Sequence, residues 1–437
     1  MSMMSVAAPW QVPVAEPTAA AAPPPWAVDR VDFAGSRSAY WGLMVRGAVL
    51  QAVTLGIYRF WLFTDMRRFM WTNTAVDGES LEYTGTPTEL LIGFLAAIGI
   101  LVPVYALIFV GTLELEMVSQ LSSLLGFGVL AAFGQFAAYR ARRYRLTRTV
   151  LRGVRFHQNG SATGYALRAM WWWIPNTLTL GLSYPWAVAN LERYKMRHTF
   201  YGDVAGQFVG REGVLLLRGI PIWVAIVAPV MAGLSAAAAV LDWPAVTQAL
   251  ELDHGFMDAL VVTKNFGLGM GLAGGGVALS LFMWVVLYPA FQAIVMRWWL
   301  SGLRLGGATV ASDLRMRQYY GAYLRCLLYV MVLSIVSGAV ALLATKMSFA
   351  ATAGGFKFSV TTGAGIAAAT GVVGYMVFML AASTIFQVVV KFRLWQVAAN
   401  SMTISGLATL AEVRASAAPS SAVGEGLADA LLGAGAI

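Results

Sequence analysis

Charge is what this sequence has least of. Only 12% of its 437 residues are charged and 59% are hydrophobic, whereas soluble domains carry about 25% charged residues. A soluble enzyme of this size is excluded. Cysteine is nearly absent too: Cys326 stands alone, so no internal disulfide forms. The three histidines, His157, His198 and His254, lie far apart and outside any C-x-x-C or H-E-x-x-H spacing, which speaks against zinc, haem and iron–sulfur sites. No G-x-S-x-G elbow or Cys/His pairing occurs. The expectation is therefore no metal, no cofactor and no catalytic residues. Residues 1–28 contain no Lys or Arg and lack the basic start and apolar centre of a signal peptide. They read as an Ala/Pro-rich disordered cytoplasmic tail.

What is present is apolar sequence in long runs. Six uncharged stretches, 90–113, 117–139, 219–241, 265–296, 326–345 and 358–390, each reach the roughly 18 to 20 residues that cross a bilayer. Two more, 41–63 and 165–191, are weaker. Arg46 and Arg59 enclose twelve uncharged residues, about 18 Å of helix against a core of about 30 Å. Pro175, Gly181 and Pro185 interrupt the other. The distribution of basic residues decides between six spans and eight. With six spans and both termini cytoplasmic, all but three of the 30 Lys and Arg residues fall on one side, the exceptions being Lys264, Lys346 and Lys357. The net charge of +9 then reports topology, and nucleic acid is not an expected partner. The expected spans form three hairpins, 90–139, 219–296 and 326–390.

The chain repeats itself. Thr54-Leu55-Gly56-Ile57-Tyr58-Arg59-Phe60-Trp61 aligns with Thr179-Leu180-Gly181-Leu182-Ser183-Tyr184-Pro185-Trp186 at an offset of 125, which also pairs Arg68 with Arg193, Thr74 with Thr199 and Gly85 with Gly210. Each copy reads as a short helix, a Thr-Leu-Gly break and an amphipathic helix, hence an interfacial or re-entrant helical hairpin. A second motif places an aromatic two residues before a glycine: Phe33 and Gly35, Tyr83 and Gly85, Phe208 and Gly210, more loosely Phe156 and Gly160. The alternation around Ser80–Thr84 suggests short strands in a small cytoplasmic β layer. The fold class expected is an all-α polytopic membrane protein carrying that layer. Its segments are the tail 1–28, repeat 1 over 29–150, repeat 2 over 151–297, a third hairpin over 298–400 and a cytoplasmic tail over 401–437.

These residues carry a family likeness. Phe33 with Gly35, the Thr54–Tyr58 stretch with Trp61, Asn73-Thr74, Tyr83-Thr84-Gly85-Thr86, Thr179-Leu180-Gly181 with Pro185-Trp186, and Gly424-Glu425-Gly426-Leu427-Ala428-Asp429 together resemble the YjgN-like family of bacterial inner-membrane proteins. The resemblance covers residues 32–437 and implies location and architecture, without supplying catalytic residues. The loop 242–264 and the Ala/Pro-rich start depart from it.

Other motifs reduce to packing or solvation. Gly269–Gly274 fits G-x-G-x-x-G but lies within an apolar run with no preceding soluble strand. Gly267, Gly271 and Gly275, and Gly363, Ala367 and Gly371, fall four apart and suggest close contact between the second and third hairpins. The span interiors contain no Asp, Glu, Lys, Arg or His, which weighs against ion-coupled transport; Gln120, Gln135, Gln292 and Gln387 are the polar residues there. Ten tryptophans on the basic side read as interfacial anchors. The candidate site is the pair of interfacial hairpins: Thr54, Leu55, Gly56, Tyr58, Trp61 and Arg68 with Thr179, Leu180, Gly181, Tyr184, Trp186 and Arg193. The function expected is non-enzymatic passage or accommodation of a small or amphipathic solute at the inner leaflet, because irregular backbone at membrane depth lines cavities. The alternative is a lipid-organising or scaffold protein whose basic, Trp-rich face binds anionic lipid headgroups or a partner.

Overall fold

Short alternating stretches separate the long apolar runs, and the two periods fold into two layers. The computed structural model describes residues 28–114, 116–251, 255–261, 263–353, 360–410 and 413–414. In chain order these form β1 (Val28–Phe33), α1 (Arg37–Val53), α2 (Arg59–Thr72), β2 (Thr74–Val76), β3 (Glu79–Ser80), β4 (Glu82–Tyr83), α3 (Pro87–Glu114) and α4 (Glu116–Thr147). Then come β5 (Thr149–Leu151), β6 (Val154–Gln158), α5 (Ala162–Leu178), α6 (Tyr184–Arg197), β7 (Thr199–Tyr201), β8 (Val204–Phe208), α7 (Glu212–Val240), α8 (Trp243–Glu251), α9 (Phe256–Val261) and α10 (Phe266–Gly302). The chain finishes with β9 (Leu303–Leu305), β10 (Ala308–Ser312), α11 (Met316–Ala353), α12 (Val360–Phe386), a π-helical turn Gln387–Lys391, α13 (Phe392–Asn400), β11 (Met402–Ser405) and a 3₁₀ turn Leu407–Leu410.

The strands make one antiparallel sheet that closes on itself. Its order is β3-β2-β1-β11-β10-β9-β8-β7-β6-β5-β4, and the two outermost strands, β3 and β4, are successive in the chain with Leu81 between them. Leu81 donates its N–H to Thr74 O at 2.9 Å, and Thr84 donates to Arg148 O at 2.9 Å. One bent strand thus serves both edges and leaves a barrel, which abolishes open edges. The expected small β layer is a closed barrel under the helices, and the all-α reading is corrected accordingly. Strands of two to six residues are too short for alternation to betray them one at a time, and closure depends on β1 pairing with β11 across nearly the whole chain.

The alternation is regular once the register is known. Val31 and Phe33, Thr74 and Val76, Thr149 and Leu151, and Thr199 and Tyr201 point inward, while Arg30, Asp32, Arg155 and His157 alternate with them outside. The lower lumen is filled by Leu151, Tyr201, Ala308, Leu407 and Leu410. Leu407 and Leu410 belong to the segment expected to be a cytoplasmic tail. Met402–Ser405 is instead a barrel strand, and the turn after it plugs the far mouth, where Arg414 N–H donates to Asp203 Oδ1 at 3.2 Å. Burying each leucine contributes about 1.5–3 kcal/mol. Residues 1–27, and the Gly424–Asp429 motif, lie outside the described residues.

Barrel geometry dictates where the helices go. Tight turns at Asp77-Gly78, Arg152-Gly153, Gly202-Asp203 and Gly306-Gly307 occupy one rim; Asp77 and Gly78, and Arg152 and Gly153, have positive φ at both central positions, the type I′ form that matches strand twist. Every helical connection therefore leaves from the opposite rim. Among the described residues five helix pairs stand there, α1–α2, α3–α4, α5–α6, α7–α10 and α11–α12, and neighbours touch all the way round, including α12 with α1. All five pairs are seated on one sheet, to which the segments 29–150, 151–297 and 298–400 each contribute strands.

Three pairs are long and two are short. Among the described residues, six helices are long and apolar enough to cross a membrane: Pro87–Thr112, Ser122–Thr147, Glu212–Val240, Phe266–Gly302, Met316–Ala344 and Gly371–Asn400. The others, α1–α2 and α5–α6, each have 17 and 14 residues, about 25 and 21 Å. Trp223 of α7 donates its indole N–H to Leu180 O at the tip of the second short pair, at 2.9 Å. Trp223 lies five residues past Arg218, the last charge of α7, so the tip packs beside the apolar part of that helix.

Labelling of single cysteines in a Cys326→Ala background tests this layout. Cysteines at Asp77 and Asp203 react with an impermeant reagent from one side of the membrane, and one at Ala245 reacts from the other. Reaction of all three from one side would contradict the fold.

Candidate functional site

The Thr-Leu-Gly break is the same turn in both short pairs. Thr54 Oγ1 donates to Leu50 O at 2.7 Å and accepts from Tyr58 N–H at 3.0 Å; Thr179 Oγ1 donates to Pro175 O at 2.7 Å and accepts from Ser183 N–H at 3.1 Å. Gly56 and Gly181 close the helix ends onto Gln51 O and Asn176 O, each at 2.7 Å. The threonine is both C-cap of the first helix and N-terminal acceptor for the second. Leu55 and Leu180 have φ of 50° and 51°, and Gly56 and Gly181 have φ of 91° and 88°, two successive left-handed residues that only glycine adopts freely. Leu55 is 85% exposed and Leu180 58% exposed. A strained leucine at an exposed tip makes physical sense where its surroundings are apolar.

The twelve expected site residues separate into two stations. The first and second short pairs are neighbours of α3–α4 on its two sides, so the Thr54 and Thr179 turns do not meet. Tyr58 stacks on Trp61 at 6.2 Å, whereas Tyr184 packs its ring on Phe291 of α10 at 5.5 Å. Trp186 is 40% exposed. Arg68 and Arg193 play one structural part: Arg68 Nη2 donates to Gly85 O at 3.0 Å, and Arg193 Nη2 to Gly210 O at 3.3 Å and to Glu212 Oε2 at 2.8 Å. Each clamps the exit of the next β-hairpin. The same place, six residues before a strand, holds Arg143 and Arg297 in two further units, a periodicity that the offset of 125 alone does not reveal.

The aromatic–glycine motif has a steric cause. The ring of Phe33 folds back over Gly35, and that of Phe208 over Gly210, so closely that a Cβ would come within 2.5 Å of the ring. In β6 the corresponding residue is Gln158, not Phe156, and Gly160 is covered by Tyr139 and His198. At the same rim, Thr74, Thr149 and Thr199 each donate a hydroxyl to the carbonyl four residues earlier at 2.8 Å, satisfying helix ends. Trp395 and Trp71 in turn donate to Thr74 Oγ1 at 3.0 Å and Thr149 Oγ1 at 2.9 Å. Trp71 and Trp298 are buried, so these tryptophans join units at the rim and are not lipid anchors.

Several polar groups gather at the rim. Arg67 is 1% exposed and donates to Tyr83 OH at 3.2 Å; its partner at the offset of 125 is Glu192, which is buried, bonds Lys195 and accepts from Trp299 Nε1 at 3.0 Å. Burial raises the Glu192 pKa, but Lys195 and Arg142 outweigh it and hold the carboxyl below its usual range. Burial likewise lowers Lys195. His157 stacks on Phe200 at 5.0 Å and is held low by burial and by Arg143, and His198 Nδ1 lies 2.8 Å from Tyr194 O.

Helix contact follows a different glycine register from the one expected. Nothing lies within 4 Å of a Cβ built on Gly267, Gly271, Gly275 or Gly371. Gly363 and Ala367 fall on α12 in a stretch whose packing is outside the described residues. The close approach is inside the second long pair, where Gly233 and Gly276 bring their Cβ positions to 2.9 Å of each other's Cα, and Ser280 Oγ donates to Ile226 O at 2.7 Å.

Two concavities flank the short pairs. A cavity of about 280 Å³ lies between the Leu180-Gly181-Leu182 tip and helices α7 and α10, lined by Tyr184, Gly219, Trp223, Trp284, Tyr288 and Phe291 among others. A groove of about 510 Å³ lies on the first short pair, lined by Arg46, Tyr58, Asp65 and Arg68. The turn itself is testable: Gly56→Ala and Gly181→Ala each lower stability by about 1–2 kcal/mol, additively because the turns do not touch. Thermal unfolding in detergent measures this, with Gly213→Ala, where a Cβ meets nothing within 4 Å, as the neutral control.

Comparisons with known proteins identify a family for the chain. Residues 28–430 match the family model described as Bacterial protein of unknown function (DUF898). The chain is 27% identical to the Inner membrane protein YjgN of Salmonella typhimurium over 145 residues, 32% of this chain and 33% of that protein. It is 26% identical to the Inner membrane protein YjgN of Escherichia coli strain K12 over 153 residues, 34% of this chain and 35% of that protein. The chain thus aligns with about a third of the length of these curated relatives. No solved structure matches it. With a family match running from the first barrel strand to beyond the plug, and with six apolar helices, this chain belongs to the DUF898 family of bacterial membrane proteins.

Proposed function

We propose that the protein accommodates a chain-bearing amphipathic molecule at the inner leaflet, without catalysing a reaction on it. One observation carries this reading: the apolar cavity of about 280 Å³ beside the Thr179-Leu180-Gly181 turn. That volume is near the lower end of small-molecule pockets, about 300–1,000 Å³, and suits one hydrocarbon tail. Its walls are Leu, Ile, Trp and Phe, with Tyr288 OH, which accepts from Gln292 Nε2 at 2.6 Å, as a polar edge. Access is sideways, from the bilayer, because the barrel axis below is filled and capped by Leu407 and Leu410. In this reading the barrel lies on the cytoplasmic side, where the basic flanks of the helices belong.

Gly219 provides the test, since a Cβ built there meets nothing within 4 Å. Gly219→Phe fills the cavity without altering the helix contact, and the purified variant retains less of the co-purifying chain-bearing molecule, by at least about tenfold, as expected when a tail is denied burial. Phe291→Ala enlarges the cavity and shifts retention toward bulkier tails. Extraction and mass spectrometry read both, and an unchanged complement in the two variants would sink the proposal.

A further inference from the structure

The groove on the first short pair has a different chemistry from the cavity on the second, although the backbone is shared. At the offset of 125, Thr54, Gly56 and Arg68 are kept as Thr179, Gly181 and Arg193, but Arg46 becomes Trp171, Gly47 becomes Trp172 and Asp65 becomes Asn190. The repeat diverges at the lining of the groove. Gly47 lets α1 and α2 approach, a Cβ there coming within 2.2 Å of Leu62 Cδ1, while Gly42 leaves one wall open with nothing within 4 Å. Across this space stand two guanidiniums and one carboxylate, Arg46, Arg68 and Asp65, with the hydroxyls of Tyr58 and Thr72 beside them. Arg68 is anchored by Gly85 O. Arg46 and Asp65 have no ion pair or hydrogen bond among the described residues, so both charges are available to a ligand.

The height of the groove above the rim fits a membrane interface. Arg46 lies nine residues into α1, as Arg325 lies nine residues into α11, about 13 Å above the barrel rim and at the level where the apolar runs begin. We infer that the groove binds the phosphoethanolamine headgroup of a membrane phospholipid, with Arg46 and Arg68 on the phosphate and Asp65 on the primary ammonium. The phosphate oxygens take charge-assisted hydrogen bonds from the two guanidiniums. The ammonium carries three N–H donors, which a carboxylate accepts. A choline head has no N–H to offer and a glycerol head no cation, so Asp65 is the selecting residue. The inference is independent of the apolar cavity, which is on the other short pair.

The experiment uses the full-length protein in lipid nanodiscs containing equal mole fractions of phosphatidylethanolamine, phosphatidylcholine and phosphatidylglycerol, with native mass spectrometry counting retained lipid. The wild type is expected to retain phosphatidylethanolamine in preference to both others, and Arg46→Ala to lose that retention by about tenfold, the worth of one charge-assisted hydrogen bond. Asp65→Asn, which installs the residue of the second copy, is expected to keep phospholipid but lose the discrimination between ethanolamine and choline heads. Thermal unfolding checks that both variants fold. Equal retention of ethanolamine and choline lipids by the wild type, or a preference untouched by Asp65→Asn, overturns the inference. Displacement of the lipid by soluble phosphoethanolamine at millimolar concentration also overturns it, by assigning the groove to a free solute.

Discussion

The pairing of β1 with β11 is the contact on which the rest of the molecule depends. Val28, Asp29 and Arg30 lie opposite Ser405, Ile404 and Thr403, joining strands about 375 residues apart in sequence. With that ladder made, and with β3 and β4 bent between the other two edges, an antiparallel sheet has no free edge. Antiparallel pairing then leaves no choice for the helices: strand ends joined by two-residue turns occupy one rim, and strand ends joined by helices occupy the other. All five helix pairs must leave the sheet from one rim. A helix crossing once and staying on the far side would break the barrel.

Symmetric anchorage with unequal helix lengths is what creates the candidate sites. The barrel gives each pair a similar footing, with an arginine six residues before the strand in four units and a threonine hydroxyl closing the helix end in three. Two pairs stop short, turned by a Thr-Leu-Gly sequence whose left-handed pair costs conformational energy. Above and beside a short pair, apolar side chains of its long neighbours stay exposed, Val224, Trp284 and Val285 among them. Side chains then decide what each recess holds. Trp223, Trp284 and Phe291 make one apolar; Arg46, Asp65 and Arg68 make the other polar.

Much of this was legible in the residues. Six uncharged runs, the one-sided distribution of arginine, and the duplicated Thr-Leu-Gly break are local properties, and the interactions that enforce them, burial in lipid and left-handed backbone at glycine, are local as well. The helical hairpins and their turn follow directly. Less legible was the seating of five helix pairs on one sheet, because what marks each seat is a threonine or small residue, an arginine six positions earlier and a pair of strands of a few residues each. Over three residues, Thr-Ala-Val or Leu-Arg-Leu reads as anything. Glycine register was misleading for a related reason: Gly267, Gly271 and Gly275 share a stripe with as regular a spacing as the one that touches α7, and only packing tells Gly276 from its neighbour.

The sequence by itself determined that this chain lives in a membrane, how many helices are long enough to cross it, and where two helical pairs break. Those outcomes follow from hydropathy and from φ, which each residue carries with it. The tertiary structure alone decided that the strands close into a barrel, that Leu407 and Leu410 plug it, that Arg67 and Glu192 are buried equivalents, and that the two short pairs flank different recesses. Each of those depends on contacts between residues far apart in the chain, and such contacts have no signature in composition, period or spacing.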